Sequence, residues 1–161
     1  MSDQILRATL EELTAILQLQ KVAYQQEAER YGDCHIAPLT QTLDEIRAEY
    51  PKTLFLKLVQ DNKIIGSVKG RKENETCHLG RLMVHPDYQG QGFGKKLIQK
   101  LEAEFLKDAE IKRFELFAGA KSFNNIKLYE SQGYTIFKTE PFDKNNKHSE
   151  NVVYMEKILK K

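Results

Sequence analysis

The chain has only 2 cysteines in 161 residues, Cys34 and Cys77, far apart and without a C-x-x-C pair or a grouping at metal-ligand spacing. That argues against a zinc or dithiol centre, and no metal is expected. No sign of charge dominates either, because 25 basic and 23 acidic residues leave a net charge of +2 spread along the whole length. Without a basic stripe to follow a phosphate backbone, nucleic acid is not an expected partner. No apolar run approaches the ~18–20 residues of a membrane span, and the opening MSDQILRATL lacks the regions of a secretion signal. A membrane partner is not expected, and the expected location is cytoplasmic. Repeats, low-complexity tracts and linkers are missing as well, so residues 1–161 are expected to form a single domain. The 40% hydrophobic and 30% charged content is that of a folded globular chain.

Periodicity then places the elements. QILRA (4–8) reads as a strand, and Thr9 with Glu12 forms a T-x-x-E capping box that opens a helix running through Leu13, Ile16, Leu17, Ala23 and Tyr24 to about Arg30. A second box, Thr42 with Glu45, opens a shorter helix through Ile46 to Tyr50. TLFLKLV (53–59) and IIGSVKG (64–70) flank a DNK turn as a hairpin, and a polar gap precedes CHLGRLMVH (77–85). Alternation along that third run puts His78, Gly80, Leu82 and Val84 on one face and Cys77, Leu79, Arg81 and Met83 on the other. A helix through Leu97, Ile98, Leu101 and Phe105 follows, then a strand (111–118), a helix (124–133) ended by Gly133, and strands at 134–138 and 151–158. The expected fold is α/β (α+β): a mixed central sheet of about six to seven strands flanked by about four helices.

Gly90, Gly92 and Gly94 crowd the junction between the third strand run and its helix. The Walker pattern fails at Gln89 and Lys96, and the dinucleotide pattern G-x-G-x-x-G fails at Lys95. A strand, a side-chain-free loop and a helix start do suit a pyrophosphate, because helix N-termini carry unpaired N–H groups and a partial positive charge. Lys95 and Lys96 add charge beside it. A flexible glycine-rich turn is the competing reading.

Gln89, Gly92 and Gly94, with Gly90 as an extra glycine and LMVHPDYQ leading in, resemble the [QR]-x-x-G-x-[GA] motif of the GCN5-related N-acetyltransferase (GNAT) family. KSFNNIKLYESQGY resembles the family's second motif, a helix with Tyr129 followed by Gly133 and Tyr134. The resemblance covers nearly the whole chain. It implies an acyl-CoA N-acyltransferase-like fold that moves an acetyl group from acetyl-CoA, the co-substrate, to a primary amine of a small molecule or peptide. A non-catalytic acyl-CoA-binding sensor or interaction module is the alternative. By the same resemblance Gln89, Gly90, Gln91, Gly92, Phe93, Gly94 and Lys95 bind the pyrophosphate. Leu82, Met83 and Val84 pair with the pantetheine arm along a strand that splays from its neighbour, and an N–H near Met83 or Val84 polarises the thioester oxygen. Tyr129 is the implied general acid, with a core aromatic as the competing reading. Where many members carry asparagine, seven residues before that tyrosine, this chain has Ser122, so Asn125 or Asn124 is the candidate pantetheine contact.

The base that takes the amine's proton is less defined. His78 occupies the place where some members carry a glutamate, and imidazole titrates in the neutral range that such a base needs. A packed or solvated histidine, Glu73, Glu75 or a water chain stay open. Segments 24–40, with Tyr24, Tyr31, Asp33 and His35, and 139–150 are expected to build the acceptor site. A homodimer through the C-terminal strands is conceivable.

Overall fold

The computed structural model describes residues 3–141, 145 and 151–160. Seven strands, β1 (Gln4–Arg7), β2 (Leu54–Gln60), β3 (Lys63–Glu73), β4 (Thr76–Val84), β5 (Arg113–Gly119), β6 (Thr135–Pro141) and β7 (Asn151–Ile158), form one mixed sheet in the order β1-β2-β3-β4-β5-β7-β6. Asp61 and Asn62 take left-handed backbone (φ 53° and 62°), so β2 and β3 are joined by a two-residue turn that matches strand twist. The polar stretch expected to separate β3 from β4 instead extends both strands, with Glu73 opposite Thr76 and Asn74 left-handed at the tip.

Among the described residues there are six α-helices, where about four are expected: α1 (Leu13–Ala23), α2 (Gln25–Tyr31), α3 (Ala37–Thr40), α4 (Leu43–Glu49), α5 (Phe93–Phe105) and α6 (Phe123–Ser131), of which α3 is a single turn. The long first helix breaks at Tyr24 (φ −88°, ψ 2°), whose hydroxyl is tied to the carbonyl of Leu82, 3.1 Å away. Helix α1 starts one turn later than its box implied. Glu12 does reach back to the Thr9 amide (2.9 Å), but the Glu12 N–H is bonded to the Thr9 carbonyl, so Thr9 closes a turn before the helix. The Thr42–Glu45 box forms in full.

Helices α5 and α6 cover one face of the sheet. There Leu97, Ile98 and Leu101, all 0% exposed, pack on Leu58, Ile65, Val68 and Phe114. Helices α1 and α4 cover the other face through Leu13, Ile16, Ile46, Phe55 and Met83.

Strand β4 does not alternate as expected, because a β-bulge displaces it. Gly80 pairs with Lys69 and Met83 with Ser67, so Arg81 and Leu82 together oppose Val68, and Arg81 is left-handed at φ 49°. One extra residue exchanges the faces beyond it. Leu82 and Val84 therefore join Cys77 and Leu79 against α5, and Met83 joins the α1–α4 cluster. His78 does not share a face with Val84, which corrects the alternation read from sequence.

Before it reaches the bulge, β4 parts from β5. The two are parallel and pair only at Thr76–Arg113, Cys77–Phe114 and His78–Glu115. Past His78 the sheet opens into a gap.

Candidate active site

Main-chain groups on β4 line that gap. Met83 pairs with Ser67 and His85 N–H bonds to Ile65 O (2.7 Å), so these residues face β3. Leu82 and Val84, by the alternation of an antiparallel ladder, turn their N–H and C=O groups away from it. Their carbonyls accept from outside the sheet, Leu82 O from Tyr24 Oη (3.1 Å) and Val84 O from Gln89 Nε2 (3.0 Å). The Gln89 side chain thus clasps its own loop.

The glycine turn closes one end of this gap, and its glycines serve two purposes. Gly90 and Gly92 have φ of 80° and 83°, a conformation that side-chain-bearing residues rarely adopt, and nothing lies within 4 Å of where a Cβ would stand. Gly94 has ordinary helical backbone, yet a Cβ there would meet Leu128 Cδ2 at 3.1 Å, so it lets α5 approach α6. Gly92 is the N-cap of α5, and Lys96 is the first residue to bond back, to Gly92 O at 3.2 Å. The amides of Phe93, Gly94 and Lys95 are left for a ligand. With Lys95 and the helix dipole they make a site for a polyvalent anion.

A groove of about 430 Å³ joins these features. Of the residues that the resemblance assigns to the cofactor, Leu82, Met83, Val84, Gln89, Gly90, Gly92, Phe93, Gly94, Lys95 and Asn125 line it, and Asn124 stands beside Asn125. Gln91 does not line it. A larger hollow of about 630 Å³ lies between β1, β2 and the far end of α5. Neither the open strand edge nor the glycine turn borders it, so the chemistry points to the smaller groove.

Tyr129 and His78 also stand outside the lining. Tyr129 is 7% exposed, its ring set edge-on to Tyr134, and burial raises its hydroxyl pKa well above the usual tyrosine value, with Tyr24 and Glu27 adding to the shift. A phenol so placed keeps its proton. His78 occupies the apex of the splay, its Nδ1 3.6 Å from Glu115 Oε2. Glu73 and Glu75, the alternative bases, belong to the β3–β4 tip, at the end of β4 remote from the glycine turn, where they pair with Arg71 and Lys112.

The α1–α2 segment supplies Tyr24, expected near the acceptor, and two residues that sequence reading missed, Glu27 and Arg30. Tyr24 lines the groove, and burial pushes its hydroxyl up to about 12. Glu27 and Arg30 line it too, paired with each other, and Ser122 Oγ donates to Glu27, which ties α2 to the start of α6. Sequence reading assigned a role to neither, and no local pattern marks them. Tyr31, expected near the acceptor, is an anchor: its hydroxyl accepts from Lys121 N–H (2.8 Å) above Gly119, where a Cβ would stand 2.0 Å from it. Asp33 and His35 are exposed and bonded to each other (2.8 Å). Residues 142–144 and 146–150, within the second expected acceptor segment, lie outside the described residues.

A mixed sheet that splays beside a glycine-capped helix defines a protein class that binds an extended, anion-tailed ligand along an open strand edge. Comparison makes the class specific: residues 12–134 match the acetyltransferase (GNAT) family, and the chain belongs to that family. It is 35% identical over 75 residues to the N-terminal acetyltransferase B complex catalytic subunit of Arabidopsis thaliana, covering 47% of this chain and 43% of that protein. A Yersinia pestis acetyltransferase is 36% identical over 62 residues, 38% of this chain and 44% of that one. The chain thus spans less than half the length of these curated relatives. Among solved structures, the ribosomal-protein-S18-alanine N-acetyltransferase of Escherichia coli superposes with a TM-score of 0.82 at 20% identity, over 99% of this chain and 96% of that one. The PaiA N-acetyltransferase of Thermoplasma acidophilum, in complex with coenzyme A, gives 0.78 at 20% identity, over 99% and 100%. These likenesses establish the fold.

Proposed function

We propose that this chain, as a single domain, transfers an acetyl group from acetyl-CoA to a primary amine by direct attack in a ternary complex. The observation that carries this reading is the open edge of β4 running into the unpaired amides of the glycine turn. Pantetheine lies along Leu82 and Val84 as an added strand, Asn125 contacts it from α6, and the pyrophosphate rests on Phe93, Gly94 and Lys95. A main-chain N–H of Leu82 or Val84 polarises the thioester carbonyl, since that of Met83 is turned to β3. Coenzyme A in the PaiA neighbour, and acetyl-CoA in a GNAT structure from Elizabethkingia anophelis, accord with this assignment.

The chemistry divides between the two faces. At pH 7 a primary amine of pKa near 10.4 is neutral in about 1 part in 2,500, a deficit of about 4.6 kcal/mol that the site must meet. Holding amine and thioester together offsets more than that, effective molarities reaching ~10⁵–10⁸ M. Tyr129 donates its retained proton to the departing thiolate. His78, steadied by Glu115, accepts the amine's proton on the face that α1 and α4 share. At about 3.3 Å per residue His78 is ~13 Å from Leu82 along the strand, so water carries the proton between them.

Cys34 and Cys77 are both free thiols, in keeping with a reducing cytoplasm, and no described helix is long and apolar enough to cross a membrane. A homodimer through the C-terminal strands fits the exposed edge at β6, where Ile136 is 47% exposed. The test is radiolabelled acetyl-CoA with a panel of amines, polyamines, amino acids and peptides. Transfer is expected, and its absence across the panel despite tight CoA binding favours the sensor reading.

A further inference from the structure

Arg81 carries the single buried side-chain nitrogen or oxygen, among the described residues, that has no hydrogen-bond partner: its Nε. Its guanidinium also forms no ion pair among those residues. This cation sits in the β4 bulge with left-handed backbone, which an arginine adopts only against a steric cost. It lies close enough to Lys69 for the two positive charges to repel, and the one carboxylate bonded to either is Glu49, held by Lys69. The orphaned N–H and the repulsion call for a compensating ligand, and excess positive charge with a free N–H calls for an anion.

The position of Arg81 identifies that ligand. It directly precedes Leu82, whose carbonyl holds the Tyr24 hydroxyl, and its charge acts on that hydroxyl. The two groups on which its charge acts, Lys69 and Tyr24, belong to the α1–α4 side with Phe55, whereas the opposite face of the gap is filled by the α5–α6 core. An amine approaching a thioester held on β4 then arrives from the β5 side of the gap that this core does not fill, where Phe117 is 52% exposed.

Resting on the acetyltransferase reading, we infer that Arg81 receives a carboxylate of the acceptor, and that the preferred acceptors are amines that also carry one. The planar guanidinium fork suits a carboxylate's two oxygens, and an incoming anion relieves the orphaned Nε and the repulsion with Lys69 together. Free amino acids and peptides with an acidic residue near the N-terminus share this chemistry.

Matched pairs separate the sources. Glycine, β-alanine and γ-aminobutyrate are compared with their amides, and peptides with Asp or Glu in second position with their Asn or Gln counterparts, all at saturating acetyl-CoA. In at least one series kcat/KM is expected to favour the carboxylate member by about tenfold or more. Arg81→Asn should bring that ratio to about 1, leave the CoA dissociation constant unchanged and hold or raise the melting temperature, because asparagine tolerates left-handed backbone. Arg81→Lys, which keeps the charge without the fork, should retain part of the preference. Equal rates within every pair, or a preference that survives Arg81→Asn, overturn the inference; so does a fall in melting temperature with the preference intact, which assigns Arg81 to packing. Failure to acetylate any acceptor refutes the activity instead. Carboxylate recognition is then read by calorimetry, comparing N-acetyl amino acids with their amides on the CoA-loaded wild type and Arg81→Asn under the same criterion.

Discussion

Replacing Gly92 separates the two things the glycine turn does. Its φ of 83° places a valine in left-handed backbone, at a cost of about 1–2 kcal/mol, while the empty 4 Å around a Cβ means no clash adds to it. That Cβ and its methyls instead project into the space assigned to the pyrophosphate. Losing one charge-assisted hydrogen bond there costs about 1.5–3 kcal/mol, or roughly 10–100-fold in CoA affinity. Gly92→Val should therefore lose about 1–2 kcal/mol in urea unfolding and 10–100-fold in CoA affinity by calorimetry. Gly92→Asn, better suited to left-handed backbone, should be more stable than Gly92→Val yet lose comparable affinity. Acetyl-pantetheine, which lacks the diphosphate, should serve wild type and both variants equally. A folded Gly92→Val protein with wild-type CoA affinity, or with acetyl-pantetheine turnover reduced as much as that of acetyl-CoA, refutes the assignment of the turn.

Tyr129→Phe should lower kcat by roughly 10²–10⁴-fold with CoA affinity unchanged, read by steady-state kinetics and calorimetry, and wild-type turnover would remove the acid from Tyr129. Tyr134→Phe deletes the 2.7 Å hydrogen bond to buried Glu102, which then keeps only Lys157 (2.8 Å), and about 1–3 kcal/mol of stability should be lost in urea unfolding. Alkali should unfold the protein early. Burial raises the pKa of Tyr24, Tyr129 and Tyr134 above the value near 10 that tyrosine has when unfolded, so the protonated forms stabilise the fold fully below pH 10 and less as pH rises further. For Tyr24 the loss falls between pH 10 and about 12, and Tyr24→Phe should flatten that part of the stability profile followed by circular dichroism.

Much of the fold was legible because its cues are local. Strand and helix order, the Thr42–Glu45 cap and the Gly90–Gly94 turn all follow from residues a few positions apart, and local spacing governs hydrogen bonding within a turn or helix start. The residues of the glycine turn and of β4 that line the groove came instead from the resemblance to the acetyltransferase family. What sequence reading lost was the consequence of one bulge. Nothing in GRLMV announces that Arg81 will take φ 49°, since the extra residue is set by pairing with β3. From that point His78 and Val84 part company, and Arg81 leaves the face shared with Cys77.

By itself, then, the order of residues determined which segments fold into which elements, and where backbone free of side chains meets a helix start. Tertiary structure alone decided which main-chain groups stay unpaired and which buried side-chain nitrogen, among the described residues, has no hydrogen-bond partner. Pairing between strands distant in sequence uses up the main-chain groups in the interior of the sheet except those along the gap, so the chemistry is what that pairing leaves over.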